Sequence, residues 1–128
     1  MATATKTVLI TGCSRGIGLG LVKECIKNGL TVIATARTPE KATELCEVLS
    51  KNGQREPLTL DTSSVSSVES CKSQIVQEYE RLDILINNAG ISNKNHPVSY
   101  KKLNCQLFMI YFKYLASNHR TTWQMTSN

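Results

Sequence analysis

Residues 91–128 contain no aspartate or glutamate. They hold five bases (Lys94, Lys101, Lys102, Lys113 and Arg120), while residues 1–90 balance ten acids with ten bases. The net charge of +5 therefore belongs entirely to the last stretch of the chain. Glycine also stops: all seven lie at or before Gly90, whereas six of the seven aromatics lie beyond position 99. Composition thus divides the chain near Gly90 into residues 1–92 and a basic, aromatic-rich segment 93–128. The five bases are spread without a tight cluster, so neither nucleic acid nor an anionic membrane is expected as a partner.

Long apolar runs are missing too. The longest uninterrupted one is residues 107–112, far below the ~20 needed to span a bilayer. The first six residues have no apolar core of signal-peptide length, so a soluble, cytoplasmic chain is expected. Cys13, Cys25, Cys46, Cys71 and Cys105 never form a Cys-x-x-Cys pair, which argues against a zinc knuckle or a disulfide framework. Reduced, mostly buried thiols are expected. His96 and His119 are far apart and read as surface residues, and no metal site is expected. With 41% hydrophobic and 20% charged residues, a disordered or collagen-like chain is excluded.

Regular punctuation fills the first 90 residues. Residues 7–11 are β-branched and apolar and end at Gly12, which predicts a buried strand. Ile17, Leu21, Val22, Cys25 and Ile26 follow at helical spacing until Asn28-Gly29. Residues 31–36 predict a second strand, and Thr38-Pro39-Glu40 opens a helix running to about Ser50. A third strand is expected at residues 57–60. A helix from about Ser64 to Tyr79 follows, with Val65, Val68, Cys71, Ile75 and Val76 on one face, and then a strand at residues 82–86. Strict β-α-β-α-β-α-β alternation predicts an α/β fold with a parallel sheet and right-handed crossovers. Residues 107–112 suit a helix or a strand, and the polar end from Asn118 is expected to be loose.

The string Thr11-Gly12-Cys13-Ser14-Arg15-Gly16-Ile17-Gly18 lies between the first strand and its helix. That context suits phosphate binding: Gly12 for a tight turn, Gly16 for backbone approach to a pyrophosphate, and Gly18 for helix–sheet packing. The helix start would supply free N–H groups and a positive dipole. A P-loop is excluded because no Gly-Lys-Ser/Thr follows. An acid that would bind a ribose 2′-hydroxyl is absent from the end of the second strand, where Ala36-Arg37 stands instead. Arg37 and Arg15 suit a 2′-phosphate, so NADP(H) is favoured over NAD(H).

At these residues the chain resembles the short-chain dehydrogenase/reductases. It carries their Gly-rich loop at residues 11–18, an Asp after the third strand (Leu60-Asp61), and Asn87-Asn88-Ala89-Gly90 after the fourth. Residues 8–22 and 36–45 look similar to the sniffer-like (C-factor-like) NADPH carbonyl reductases. The resemblance covers about residues 5–92 and implies a Rossmann-like doubly wound sheet of order 3-2-1-4. It further implies that Ser14, Arg15 and Arg37 face the 2′-phosphate, and that Asp61 hydrogen-bonds the adenine amine. Ile17 would lie near the diphosphate and nicotinamide, and Asn88, Ala89 and Gly90 would border the ribose and nicotinamide. Without the resemblance, the alternative for Asp61 is a helix or turn cap for Ser63 and Ser64.

In the family, hydride transfer uses a Ser and a Tyr-x-x-x-Lys, in which Tyr is the general acid/base. Here Tyr79, Tyr100, Tyr111 and Tyr114 are followed four residues on by Asp83, Asn104, Leu115 and Asn118. No catalytic residue is assigned, and Asn104 reads as coincidence with the family's catalytic Asn. The expectation is a truncated Rossmann half-domain that binds NADP(H) but is inactive alone. The alternative is a non-catalytic nucleotide-binding or interaction protein. It would pair with itself or a full-length relative through an exposed sheet edge or the tail.

Overall fold

A computed structural model describes residues 5–88. Ala89, Gly90 and the segment 93–128, with His96, Asn104, Cys105, His119 and the 107–112 run, lie outside the described residues. The strands are β1 (Thr7–Ile10), β2 (Thr31–Ala36), β3 (Leu58–Thr59) and β4 (Ile84–Ile86). The helices are α1 (Gly16–Lys27), α2 (Thr43–Lys51) and α3 (Val65–Glu78). All three strand pairings are parallel, and the order is β3-β2-β1-β4. The parallel sheet is the one expected from the alternation, and its doubly wound order is the one the resemblance implies.

Strand residues point alternately to the two faces, and the core divides accordingly. Val8, Ile10, Val32, Ala34 and Ala36 pack with Leu19 and Val22 of α1 and Leu45 and Leu49 of α2. Leu9, Ile33 and Leu85 pack instead with Val68, Cys71 and Ile75 of α3. Burial of each such Val, Leu or Ile contributes about 1.5–3 kcal/mol. Both sheet faces are covered, which is why β1 and β2 are buried along almost their whole length rather than alternating between core and solvent.

The path across the sheet positions the site. From β1 the chain steps to β2 and then β3. It returns over the opposite face through α3 to β4, on the far side of β1. The loops after β1 and β4 therefore sit side by side at the carboxyl ends of their strands, where open α/β sheets take ligands.

Four local expectations are corrected. The segment after Thr38 is not one helix: a 3₁₀ turn, Pro39–Lys41, precedes α2. Ala42, with ψ 64°, breaks the helical path while burying its methyl in the core. Val65 and Val76 do not share the inner face of α3, being 58% and 47% exposed. Val68, Cys71 and Ile75, spaced by three and four, are the residues that meet the sheet. Ile17 likewise lies off the packed face of α1 and is 65% exposed, and Gly18, Leu19 and Val22 take the buried positions. Of the described cysteines, Cys13 and Cys71 are buried, while Cys25 and Cys46 are only partly so.

Side chains complete the sheet where the ladder is short. The Gln54 amide accepts from Val32 N–H (3.0 Å) and donates to Leu30 O (3.3 Å), standing in for a strand neighbour at the start of β2. Asp83, just before β4, donates its N–H to Thr7 O and accepts from Thr7 N–H (2.8 Å) and Arg81 Nε (2.8 Å).

Candidate functional site

The loop from Thr11 to Arg15 is held by the strands on either side. Thr11 N–H donates to Ile86 O (3.1 Å) and Cys13 N–H to Thr35 O (2.9 Å). The Cys13 thiol and the Thr35 hydroxyl both donate to Ile10 O, at 3.0 and 3.2 Å. Burial pushes the Cys13 thiol up to about 12, so it serves as an anchor and not as a nucleophile at neutral pH. With Cys13 turned inward, Ser14, Arg15, Gly16 and Ile17 face solvent.

Gly12 (φ 67°) and Gly16 (φ 62°) occupy the left-handed region that side-chain-bearing residues avoid. Gly18 is required for a different reason. A Cβ there would collide with the Gly12 carbonyl and lie 2.7 Å from Asn88 Nδ2. The first turn of α1 can therefore lie against the loop only if residue 18 is glycine.

Asn88 closes this corner. Its Nδ2 donates to Gly12 O (3.2 Å), and its N–H donates to Thr11 Oγ1 (3.0 Å). The Thr11 hydroxyl in turn donates to Asn87 Oδ1 (3.3 Å). The loop after β1 and the Asn-Asn pair after β4 are thus one hydrogen-bonded unit.

The start of α1 is open to an anion. Arg15, its N-cap, makes no capping hydrogen bond through its side chain, and the first turn holds no acid. By contrast, Ser64 caps α3 by accepting from Ser67 N–H (3.3 Å). Uncapped N–H groups at a positive dipole end favour phosphate or carboxylate.

A second corner forms at β2 and β3. Leu60 N–H donates to Ala36 O (2.9 Å), which carries the pairing to the threshold of Arg37 and Asp61. The Ser63 hydroxyl (2.6 Å) and Ser63 N–H (3.0 Å) both donate to Asp61 Oδ1, and Asp61 N–H donates to Ser67 Oγ (2.8 Å). The Ser63 hydroxyl and amide hold the Asp61 carboxyl below its ordinary range; a weaker opposing effect of burial and a further lowering by the Arg37 charge follow.

The described site residues expected from the sequence therefore gather at the carboxyl ends of the strands. Gly12, Gly16, Gly18 and Asn88 lie between β1 and β4, Arg37 and Asp61 lie beyond β2 and β3, and Ser14, Arg15 and Ile17 are exposed on the loop and first turn. The turn-cap reading of Asp61 is realised through Ser63. Sequence reasoning misses Thr11, Asn87 and Ser63 as site residues, although the Asp61-x-Ser63 spacing is a recognisable side-chain turn signal. The glycine cradle, the uncapped helix start and the absence of an acid directly after β2 fit a dinucleotide phosphate.

Sheet order and loop together define a Rossmann-like α/β unit of the dinucleotide-binding class. The chain belongs to the short-chain dehydrogenase family, whose model, described as "short chain dehydrogenase", matches residues 6–113. The match runs past residue 92, into the basic segment. The chain is 46% identical over 95 residues to an NADPH-dependent pterin aldehyde reductase of Arabidopsis thaliana, covering 74% of this chain and 39% of that protein. It is 40% identical over 90 residues to the 3-oxoacyl-[acyl-carrier-protein] reductase FabG of Vibrio harveyi, covering 70% and 36%. The chain thus spans less than half the length of these curated relatives. Among solved structures, an NADPH-bound carbonyl reductase from chicken fatty liver superposes with a TM-score of 0.71 at 27% identity, over 89% of this chain and 51% of that one. An alcohol dehydrogenase from the archaeon Thermococcus sibiricus, with a TM-score of 0.79 at 20% identity over 98% of this chain and 59% of that one, shares the fold.

Proposed function

We propose that this chain is the NADP(H)-binding portion of a carbonyl-reducing, alcohol-oxidising oxidoreductase. The observation that carries the reading is the end of β2. Arg37 follows Ala36 directly, where an NAD-selective unit would place a carboxylate. A guanidinium there pairs with a 2′-phosphate, and no acid repels it. The names of the pterin aldehyde reductase and the carbonyl reductase, both with NADPH, point the same way.

In this reading the N–H groups at the start of α1 hold the diphosphate, while Gly12 and Gly16 let the backbone approach it. Ser14, Arg15 and Arg37 surround the 2′-phosphate, and Asp61 accepts from the adenine amine. Ile17 covers the diphosphate on its way to the nicotinamide. Asn88 fixes the loop, with Ala89 and Gly90 beside the ribose and nicotinamide. The bound nicotinamide supplies the hydride. Proton transfer to the carbonyl oxygen needs an acid within hydrogen-bond reach, and no Tyr in these 128 residues has a Lys four positions on. The chain therefore binds cofactor without turnover. Within the family, residues 8–22 and 36–45 favour a sniffer-like carbonyl reductase.

The test pairs binding with turnover. NADPH fluorescence should change on addition of the chain, while NADPH oxidation with simple aldehydes or quinones should stay at background. Turnover abolished by Arg37→Asp would overturn the inactive reading, and no binding would overturn the cofactor reading. A second reading has specific support: among the described residues β4 pairs only with β1 and forms one edge of the sheet. Association with a full-length relative along that edge would be visible as co-purification, and a monomer by light scattering in the presence of the relative would contradict it.

A further inference from the structure

Asp61 holds one carboxylate oxygen in an unusually specific way. Both hydrogen bonds to its side chain come from Ser63, and both fall on Oδ1: the hydroxyl at 2.6 Å and the backbone N–H at 3.0 Å. Two donors on the same oxygen fix the rotation of the carboxylate about its last bond. Oδ2 takes no hydrogen bond from the described residues. The backbone of Asp61 is fixed separately, by its N–H on Ser67 Oγ at 2.8 Å. Ser67 sits in the first turn of α3, so the clamp is tied to a regular element. Ser63 itself is exposed, and its side chain contributes nothing to the core.

We propose that Ser63 is a positioning residue for base recognition: its hydroxyl turns Asp61 so that Oδ2 is presented to the exocyclic amine of an adenine. The proposal rests on the NADP(H) reading of this site and adds how the site selects a 6-amino purine. An amine donates to a carboxylate oxygen, whereas the 6-oxo group of hypoxanthine is an acceptor and would face the carboxylate unfavourably. Without the Ser63 hydroxyl, the carboxylate keeps the weaker N–H contact and rotates more freely. The amine then gains less, and the base preference falls. An aspartate carboxyl is ionised at neutral pH with or without the Ser63 hydroxyl, so removing the hydroxyl reduces orientation more than charge.

The experiment compares dissociation constants of the full chain for NADPH and for its hypoxanthine analogue, deamino-NADPH, in which the 6-amino donor becomes a 6-oxo acceptor and N1 gains a proton. The wild-type chain should prefer NADPH, and Asp61→Asn should remove the preference. Ser63→Ala should weaken NADPH binding roughly fivefold, in line with loss of one net hydrogen bond, and leave deamino-NADPH nearly unchanged. Ser63→Thr, which keeps the hydroxyl, should restore the preference, and Ser63→Val, of the same shape without it, should not. Equal weakening of both ligands by Ser63→Ala would show a merely structural role and overturn the proposal. So would a base preference that survives in Ser63→Ala but is lost in Asp61→Asn, which leaves the adenine reading intact. A wild-type chain that binds both ligands equally, or neither, overturns the NADP(H) reading of Asp61 and the proposal together.

Discussion

Asn88 Nδ2 donates to the carbonyl of Gly12 at 3.2 Å, joining two loops 76 residues apart in sequence. The same Gly12 carbonyl is the atom that a side chain at residue 18 would strike. One backbone oxygen thus senses the Gly-rich loop, the first turn of α1 and the end of β4. Asn88→Asp replaces the donor with a carboxylate facing a carbonyl and beside the proposed phosphate site. The expected cost is about 1–3 kcal/mol of folding stability by urea titration, together with weaker NADPH binding.

Two glycines of the same helix should respond oppositely to alanine. Gly18→Ala forces a methyl into the Gly12 carbonyl and should cost about 3 kcal/mol, since backbone cannot yield as a flexible side chain would. Gly20 has open space around its added Cβ, so Gly20→Ala should stabilise by about 0.5–1 kcal/mol. Thermal melts of the two variants read both signs.

How much of this could be seen in the sequence depends on the range of the interactions. The strands, their parallel pairing and the Gly-rich loop were legible, because β-branched runs, alternation with helices and glycine spacing are local signals. The same holds for Arg37 after β2, whereas the strand order rested on the family resemblance. Helix periodicity misled at Val65 and Val76, which follow the pattern but lie off the face that meets the sheet. The break at Ala42 was hidden because a good helix former is used there to bury a methyl. Contacts such as Gln54 with Val32 or Asn88 with Gly12 join distant positions, and no spacing rule anticipates them.

Acid should destabilise the sheet at a definite place. Burial raises the Asp83 carboxyl, but Arg81, Thr7 N–H and the Lys6 charge together outweigh it and leave it below its ordinary range. A depressed carboxyl contributes stability that is complete above its unfolded-state value and lost as pH falls through the folded-state value. Asp83→Asn should therefore lower stability at neutral pH by about 1–3 kcal/mol and flatten the decline in urea midpoint under acid. An unchanged acid profile in Asp83→Asn would contradict this.

The thiols should separate by burial. Burial raises both Cys13 and Cys71 to about 12, and both are enclosed in the core. Iodoacetamide at pH 8, read by peptide mass spectrometry, should label the partly exposed Cys46 well before either of them. All three should react once urea unfolds the chain.

The most direct test of the central claim is a thermal-shift titration of the full chain with NADPH and NADH, repeated on Arg37→Glu. A ligand that binds only the folded state adds about 2.7 kcal/mol at a hundred times its Kd. The wild-type chain should show the larger shift with NADPH, and Arg37→Glu should lose roughly tenfold or more of its NADPH affinity while sparing NADH. A larger shift with NADH in the wild-type chain, or no shift with either, would contradict an NADP(H) site built on Arg37.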